Sequence, residues 1–379
     1  MLTKFSVKIL GNRQYNKTGE IMNKLFTAVI FMAVSSTLAF AGGHGMDGNS
    51  SNAASAAKAG SGVKFFGRLY VGYENKTTGA ADSIDNIRDN GGKSRLGIKF
   101  KENLGGISLI GHAEWKFDIA DGTSGADSAT ACTGARDCRT IDLHVGNLGF
   151  LTGLGYIGMG SFESPYKTMG MYDSNMDTAL ALNNHGGTSD GSFGIAGTWD
   201  SSISYHAAMG PMEIAYMRGM SDDVGGSNAS NVKKGDYAFG IKLTDMLASG
   251  LEFGYARSHD KSGASNYGTS NDKMFASYKV MPNMGVFYTS EEIEIAGTNH
   301  AAGDIRTMGT HYTMGNNMIQ LVYANGNMDA ATTDYDTFSI SNQMNLSKST
   351  NLVIGITRKG VEGSGDAVRT YGLGLTHKF

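Results

Sequence analysis

The chain ends in the stretch Arg369-Thr370-Tyr371-Gly372-Leu373-Gly374-Leu375-Thr376-His377-Lys378-Phe379. Its large apolar side chains, Tyr371, Leu373, Leu375 and Phe379, are separated by small or polar residues and fall on alternate positions. A period of two is typical of a β-strand whose two faces contact different solvents. An oily strand would aggregate at an open sheet edge, so it must pair on both sides, as in a closed barrel. Its length also matches the ~9–11 residues that cross a bilayer at a tilt.

The same alternation runs upstream through most of the chain. It predicts sixteen strands, at 63–74, 93–101, 107–118, 139–148, 154–162, 199–209, 212–219, 236–246, 251–259, 272–281, 284–295, 305–314, 318–325, 335–345, 350–359 and 369–379. The connections alternate between short turns, such as 282–283, and long loops, such as 119–138. Short turns at one rim and long loops at the other are typical of outer-membrane barrels.

We therefore expect an all-β protein, a transmembrane antiparallel up-and-down β-barrel of 16 strands. A soluble β-sandwich would also contain many short strands. It would need neither the asymmetry of the two rims nor outward apolar stripes such as Leu96, Ile98 and Phe100. Tyrosines near strand ends would form the interfacial girdle, namely Tyr73, Tyr255, Tyr278, Tyr288, Tyr312 and Tyr323.

The N-terminal region predicts export. Lys24 precedes an apolar run from 25 to 38, and Ala39-Phe40-Ala41 gives a small-x-small exit. This pattern is typical of a secretory signal peptide, here 22–41, cleaved after Ala41. Translation is expected to start at Met22, which leaves residues 1–21 as an upstream segment without a role. Residues 42–62 form a flexible lead-in rich in Gly, Ser and Ala, and 63–379 form the barrel.

Composition limits the partners. Residues 1–41 hold five Lys or Arg and one Glu, so the mature chain keeps 27 basic and 34 acidic residues, a net charge of −7. Nucleic acid is not expected as a partner, because it calls for a basic surface. Cys132 and Cys138 are expected to form a disulfide in an exported chain, with a metal site as the alternative. The His residues show no metal-binding spacing, and no cofactor is expected.

Two resemblances add to this pattern. An alternating strand that ends in Phe379 resembles the C-terminal signature of bacterial outer-membrane β-barrels, which the barrel-assembly machinery recognises, although His377 departs from it. Over 63–379 the chain also resembles the Gram-negative general diffusion porins. That resemblance rests on Ser94-Arg95-Leu96-Gly97, Glu114, Val145-Gly146 and Gly158-Met159-Gly160 before a long connection. It implies a 16-stranded homotrimer whose third long loop, here 163–198, folds into the pore.

The porin resemblance also implies a set of pore residues. In that family, basic side chains on the barrel wall face acids on the loop. Alternation directs Arg68, Arg95 and Lys99 into the lumen. The full expected constriction set is Arg68, Arg95, Lys99, Glu114, Arg139, Glu163, Asp173 and Asp177.

The fourth predicted strand fits this scheme less well. Arg139 shares a face with Ile141, Leu143 and Val145, which would turn Asp142 and His144 towards lipid. A β-bulge would repair the phase. Alternatively, the outer face of this strand is buried against another subunit, which is the explanation that the trimeric family favours.

The expected function is a water-filled channel for passive diffusion of ions and small hydrophilic solutes, and not an enzyme. The expected location is the bacterial outer membrane, where lipid and lipopolysaccharide would surround the barrel. The net negative charge of the chain favours a weak preference for cations. One alternative is a channel selective for sugars, phosphate or carboxylates. Others are a phospholipase-type enzyme that uses a lipid-facing Ser and His, and a purely structural or adhesive barrel.

Overall fold

The computed structural model of the protein describes residues 61–79, 83–89, 93–120, 141–188, 197–221, 234–260, 269–294, 302–329, 334–362 and 366–379. Seventeen strands lie in these ranges: β1 (Gly62–Thr78), β2 (Ile84–Arg88), β3 (Ser94–Asn103), β4 (Ser108–Phe117), β5 (Asp142–Thr152), β6 (Gly155–Glu163), β7 (Thr198–Met209), β8 (Met212–Gly219), β9 (Tyr237–Thr244), β10 (Leu251–Asp260), β11 (Thr269–Met281), β12 (Met284–Ile293), β13 (Gly303–Met314), β14 (Asn317–Met328), β15 (Tyr335–Asn345), β16 (Thr350–Val361) and β17 (Ala367–Lys378). One helical turn, α1 (Pro165–Thr168), and a 3-10 turn (Leu182–His185) lie between β6 and β7. Among the described residues, no helix is long and apolar enough to cross a membrane.

The strands form one closed antiparallel barrel. Each long strand pairs with its neighbours in the chain, and β1 pairs with β17 from Arg68 opposite Lys378 to Thr78 opposite Val368. β1 also pairs with two elements on its other side, β3 along 62–68 and β2 along 72–76. β2 and β3 are therefore two pieces of the second barrel strand. This confirms the predicted barrel of 16 strands, with β2 as an addition that alternation did not predict.

Alternation sorts the side chains between the two faces. On β17, Tyr371, Leu373 and Leu375 are 48%, 41% and 42% exposed, whereas Thr370 is fully buried. The predicted outward residues Leu96 and Phe100 are likewise exposed. The inner face carries buried polar groups together with apolar clusters that include Trp199, Met217 and Phe275. The outer face is therefore the oily one, as a bilayer requires.

The chain ends at the seam of the barrel. The backbone N–H of Phe379 donates to Gly67 O, and Gly67 N–H donates to Phe379 O, both at 3.0 Å. The Phe379 ring lies over Gly67 so closely that a Cβ there would be 2.2 Å from its Cζ. Glycine at 67 therefore gives the terminal ring its place on the outer face.

The fourth long strand corrects one expectation. The β4–β5 register shifts between Glu114 and Trp115, as in a β-bulge. Ile141 and Leu143 are each 56% exposed and face outward, while His144 turns inward and contacts Glu114. The expectation that Asp142 and His144 face lipid was wrong, because Asp142 lies opposite Lys116 on the inner face, and the bulge, not burial against a subunit, explains the phase.

Candidate functional site

The connection between β6 and β7, called here the inner loop, spans residues 164–197 and is described at 164–188 and 197. It begins at α1, where the Ser164 hydroxyl caps the turn by accepting from Lys167 N at 3.2 Å. Tyr166 and Met169 then pack with Ala256 and Phe275 on inward faces of β10 and β11. These contacts place the start of the inner loop inside the barrel.

Hydrogen bonds attach the inner loop to β10, β12 and β14. Tyr166 and Thr188 each donate to the Glu291 carboxylate at 2.6 Å. Tyr172 donates to Glu252 at 2.9 Å. Burial, and then the adjacent Glu291 charge, raise the pKa of Tyr166 well above its usual range, so the phenol keeps its proton and donates.

A glutamine on β14 binds the middle of the inner loop. The Gln320 amide accepts from Ser174 Oγ at 2.7 Å and donates to Tyr172 O at 2.9 Å. Beyond it, the 3-10 turn packs its Leu182 with Phe287 and Val322. The inner loop thus follows the wall from β10 towards β15.

The middle of the inner loop reaches the seam strands β1 and β17. Ala179 N donates to the Tyr70 hydroxyl on β1 at 3.2 Å. The Leu180 side chain sits over Gly372 on β17, where a Cβ would lie 2.7 Å from its Cγ. Residues 177–180, in the middle of the inner loop, therefore lie inside the barrel against β1 and β17, before the loop returns to β12 and β14.

Asp177 pairs with three basic side chains at the barrel wall. Its carboxylate lies 2.7 Å from Arg68, 3.3 Å from Arg95 and 3.4 Å from Lys93. Burial opposes its ionisation, but the charges of Arg95, Arg68 and Lys93 hold the pKa of Asp177 well below its usual range. Asp177 also has a φ of 69°, a left-handed conformation that Asp tolerates better than most residues. We call these four side chains the Asp177 latch.

A second ion pair continues from the latch along the wall. Arg95 Nη1 lies 3.2 Å from Glu114 Oε1, which also accepts from His144 Nδ1 at 2.7 Å. The side chains of Arg95 and Glu114 are only 7% and 3% exposed. Each of these buried charges is therefore compensated, as burial demands.

The other expected pore residues occupy different positions. Glu163 pairs with Lys167 at 2.8 Å. Asp173 faces its own loop, accepting from Asn175 N and Leu182 N at 2.8 and 2.7 Å, so it shapes the backbone. Lys99 lies over the Phe66 ring at 4.6 Å, away from the Asp177 latch. Arg139, Cys132 and Cys138 lie outside the described residues.

The barrel register brings four basic side chains into one line on the inner face. Lys378 on β17 is opposite Arg68 on β1, Arg68 is opposite Arg95 on β3, and Arg95 is opposite Lys116 on β4. We call Lys378, Arg68, Arg95 and Lys116 the basic row. Like charges directly opposite each other are normally avoided. The alternation of single strands does not reveal this row, because it depends on the pairing register.

Four further lysines lie on the inner face of the barrel. Lys64 is opposite Lys99 below the basic row. Lys76 lies near the C-terminal end of β1. The Lys359 Nζ atom lies 3.9 Å from the centre of the Tyr335 ring. Within the ranges that the structure describes, none of these four lysines forms an ion pair. The same ranges hold no cluster of three His, Cys, Asp or Glu side chains suited to a metal.

Comparison with known proteins supports this architecture. Residues 49–364 match the family model described as Gram-negative porin. No curated protein matches the sequence significantly. The barrel is similar to the anion-selective porin from Comamonas acidovorans, with a TM-score of 0.62 and 19% identity over 84% of this chain and 100% of that one.

Two further solved structures share the fold. OmpF from Salmonella typhi, in complex with daunomycin, has a TM-score of 0.61 and 12% identity over 84% of this chain and 98% of that one. OmpT of Vibrio cholerae, in its trimer form, has a TM-score of 0.57 and 15% identity over 85% and 100%. The family match covers most of the chain, so this protein belongs to the Gram-negative porin family, whose members are outer-membrane channels for passive diffusion.

Proposed function

We propose that the protein is a passive diffusion channel that prefers small anionic solutes and is narrowed by the inner loop. The basic row carries this proposal. Its four cations, together with Lys93 and Lys167, face four nearby carboxylates, those of Asp177, Glu114, Asp142 and Glu163. The surplus is positive, and fixed charge at a narrow point selects ions by sign.

The charges near the pore matter more for ion selectivity than the net charge of the chain. The mature chain has a net charge of −7, which by itself favours cations. Charges beyond about 10 Å are largely screened at 0.1 M salt, however, so acids on distant loops and the outer face act weakly on an ion in the lumen. The lysines Lys64, Lys76, Lys99 and Lys359 extend the positive lining above and below the basic row. The anion-selective porin from Comamonas acidovorans shows that this fold supports such a preference.

The inner loop is proposed as the element that limits solute size. It is attached to inward side chains at Glu291, Gln320, Tyr70 and Arg68, which lie on widely separated strands. A chain that crosses the lumen between such points reduces the open cross-section. Arg68, Lys93 and Asp177, whose side chains are 21%, 26% and 14% exposed, are proposed to border the remaining passage.

Reversal potentials in planar bilayers under a KCl gradient test the anion preference. We expect the wild-type channel to favour chloride, and Lys99→Gln combined with Lys116→Gln to lower the chloride-to-potassium permeability ratio about twofold or more. Lys348→Gln, in the exposed turn between β15 and β16, is the matched control and should leave the ratio unchanged. A cation-selective wild-type channel would overturn the proposal.

Export, assembly and the absence of catalysis complete the proposed function. Cleavage after Ala41 would deliver the chain to the periplasm, and Phe379 would present it to the barrel-assembly machinery. A homotrimer agrees with the trimer form of OmpT.

Within the described residues, one side-chain contact between a Ser and a His bears on the phospholipase alternative. His259 Nδ1 lies 3.5 Å from Ser270 Oγ on the outer face. That hydroxyl also accepts from Arg257 at 2.9 Å, and Ser270 is only 5% exposed. A cation donating to the hydroxyl oxygen makes it a poorer nucleophile, because it holds the lone pair that would attack. We therefore propose a channel without enzymatic activity, and purified protein should release no fatty acid from phospholipid micelles.

A further inference from the structure

A pair of arginines lies on the outer face of the barrel near its long-loop rim. Arg358 on β16 and Arg369 on β17 are directly opposite in the register. Both are exposed, and the side chain of Arg358 is 50% accessible. The short turns, including the one between β15 and β16, lie at the other rim, so this pair is at the extracellular end.

The two arginines carry more positive charge than the one carboxylate that contacts them can compensate. Asp336 lies 3.3 Å from Arg358 and is itself 48% exposed. Arg369 contacts no carboxylate within the part of the chain that the structure describes. Its other cross-strand neighbour is Thr77. Like charges directly opposite are destabilising in a sheet, so an anion from outside the chain would stabilise this arrangement.

An oily surface lies directly below the pair. Phe338 is opposite Arg358 and is 48% exposed. Ile354, Tyr371 and Leu373 follow on β16 and β17, with exposures of 53%, 48% and 41%. Tyr371 is two residues from Arg369 on the same face, about 7 Å along the strand. Aromatic side chains mark the membrane interface, so the arginines lie at the level of the lipid head groups.

We propose that Arg358 and Arg369 together bind a phosphate of the lipopolysaccharide that surrounds the barrel, with its acyl chains against the oily surface below. Arginine binds phosphate through paired, charge-assisted hydrogen bonds, and two opposed guanidinium groups present donors from both sides. The single carboxylate of Asp336 leaves the pair with a positive surplus. This site is on the outer face and is independent of the ion preference of the pore.

The test is a lipid titration followed by native mass spectrometry. The folded mature protein is kept in a non-ionic, phosphate-free detergent and titrated with bisphosphorylated lipid A or with its fully dephosphorylated form. The variant is Arg358→Gln combined with Arg369→Gln. The matched control is Arg306→Gln, an exposed outward arginine on β13 whose cross-strand neighbours are Ser290 and Asn325.

We expect wild type and the control to bind phosphorylated lipid A at least about tenfold more tightly than the double variant, since each arginine contributes charge-assisted bonds. The dephosphorylated lipid should bind weakly to all three. Equal binding by wild type and the double variant would overturn the proposal, as would equal binding of the two lipids. Full displacement by millimolar inorganic phosphate would show a free-anion site and would also overturn it.

The same spectra separate a lipid site from a subunit contact. If the double variant loses its oligomer while each protomer still retains lipid A, the arginines belong to a protein interface and the proposal fails. Unchanged single-channel conductance of the double variant would show that the barrel is folded.

Discussion

At the scale of single residues, Asp177 combines the compensation of three basic side chains with a left-handed backbone conformation. One carboxylate compensates Arg68, Lys93 and Arg95, and it does so from a backbone conformation with a φ of 69°. Its side chain is 14% exposed and that of Arg95 is 7% exposed, so little water replaces the contact if it is lost. The Asp177 latch therefore both attaches the inner loop and reduces the positive charge of the basic row.

Replacing Asp177 with asparagine keeps the shape and removes the charge. Removing one partner of a buried ion pair typically costs about 3–5 kcal/mol, because the remaining charges are uncompensated. We expect Asp177→Asn to loosen the middle of the inner loop, to change single-channel conductance and to raise the chloride preference. Asp142→Asn, which removes a lumen-facing charge opposite Lys116, is the control that should leave the attachment of the inner loop intact. Identical conductance and selectivity of wild type and Asp177→Asn would contradict the role of the latch.

The latch also has a defined dependence on pH. The pKa of Asp177 is depressed below its ordinary value of 3.8, so its contribution is present above that value and is lost as pH falls through the lower folded-state pKa. The conductance difference between wild type and Asp177→Asn should therefore persist from pH 7 down to about pH 4 and disappear only in stronger acid. Bilayer recordings of both channels across this range measure it. A difference that vanishes near pH 6 would show that another group controls the inner loop.

At the scale of elements, the seam between β1 and β17 completes the barrel. Backbone bonds join Gly67 and Phe379, and the exposed Phe379 ring covers the glycine. The ring is 59% exposed, so it buries little area within one chain. Its importance is expected in assembly, where the terminal strand must be recognised before the seam closes.

Replacing Phe379 with alanine should separate assembly from stability. Because the backbone bonds to Gly67 remain, we expect the free energy of unfolding of the purified barrel to change by less than about 1 kcal/mol. The amount of folded protein recovered from outer membranes should fall several-fold. Unheated gel electrophoresis, in which folded barrels migrate apart from unfolded chains, measures the recovery, and the same gels across a urea series measure the free energy of unfolding. Leu375→Ala, at an outward position on the same strand, is the control. Equal recovery of the two variants would contradict a special role for the last residue.

The alternation of apolar and polar residues predicts the long strands, because each outward side chain contacts lipid regardless of which residues lie next to it. β2 was missed, since five residues with two exposed isoleucines, Ile84 and Ile87, give no sustained pattern. Composition does not reveal the bulge in β5, because one inserted residue leaves the local composition unchanged. Its effect, the inward turn of His144, follows only from the pairing with β4.

At the scale of the whole molecule, export and assembly are expected to define the mature protein. We expect native mass spectrometry of protein extracted from outer membranes to give the mass of three identical chains that begin at Gly42. Boiling in detergent should reduce this to single chains. A mass that includes residues 22–41 would contradict cleavage, and a monomer in mild detergents would contradict the trimer. Reduction with a thiol reagent should leave the trimer intact, because Cys132 and Cys138 are expected to pair within one chain.

The sequence by itself determined the class of the barrel, its strand positions, the inward direction of Arg68, Arg95 and Glu114, and the presence of a long connection after β6. These follow from alternation, which is a local consequence of placing a strand between oil and water. Only the tertiary structure decided which charges meet. Arg95 and Asp177 are 82 positions apart, and the basic row joins residues from β17, β1, β3 and β4. Such contacts depend on barrel closure and pairing register, which bring distant residues together without any periodic mark in the chain.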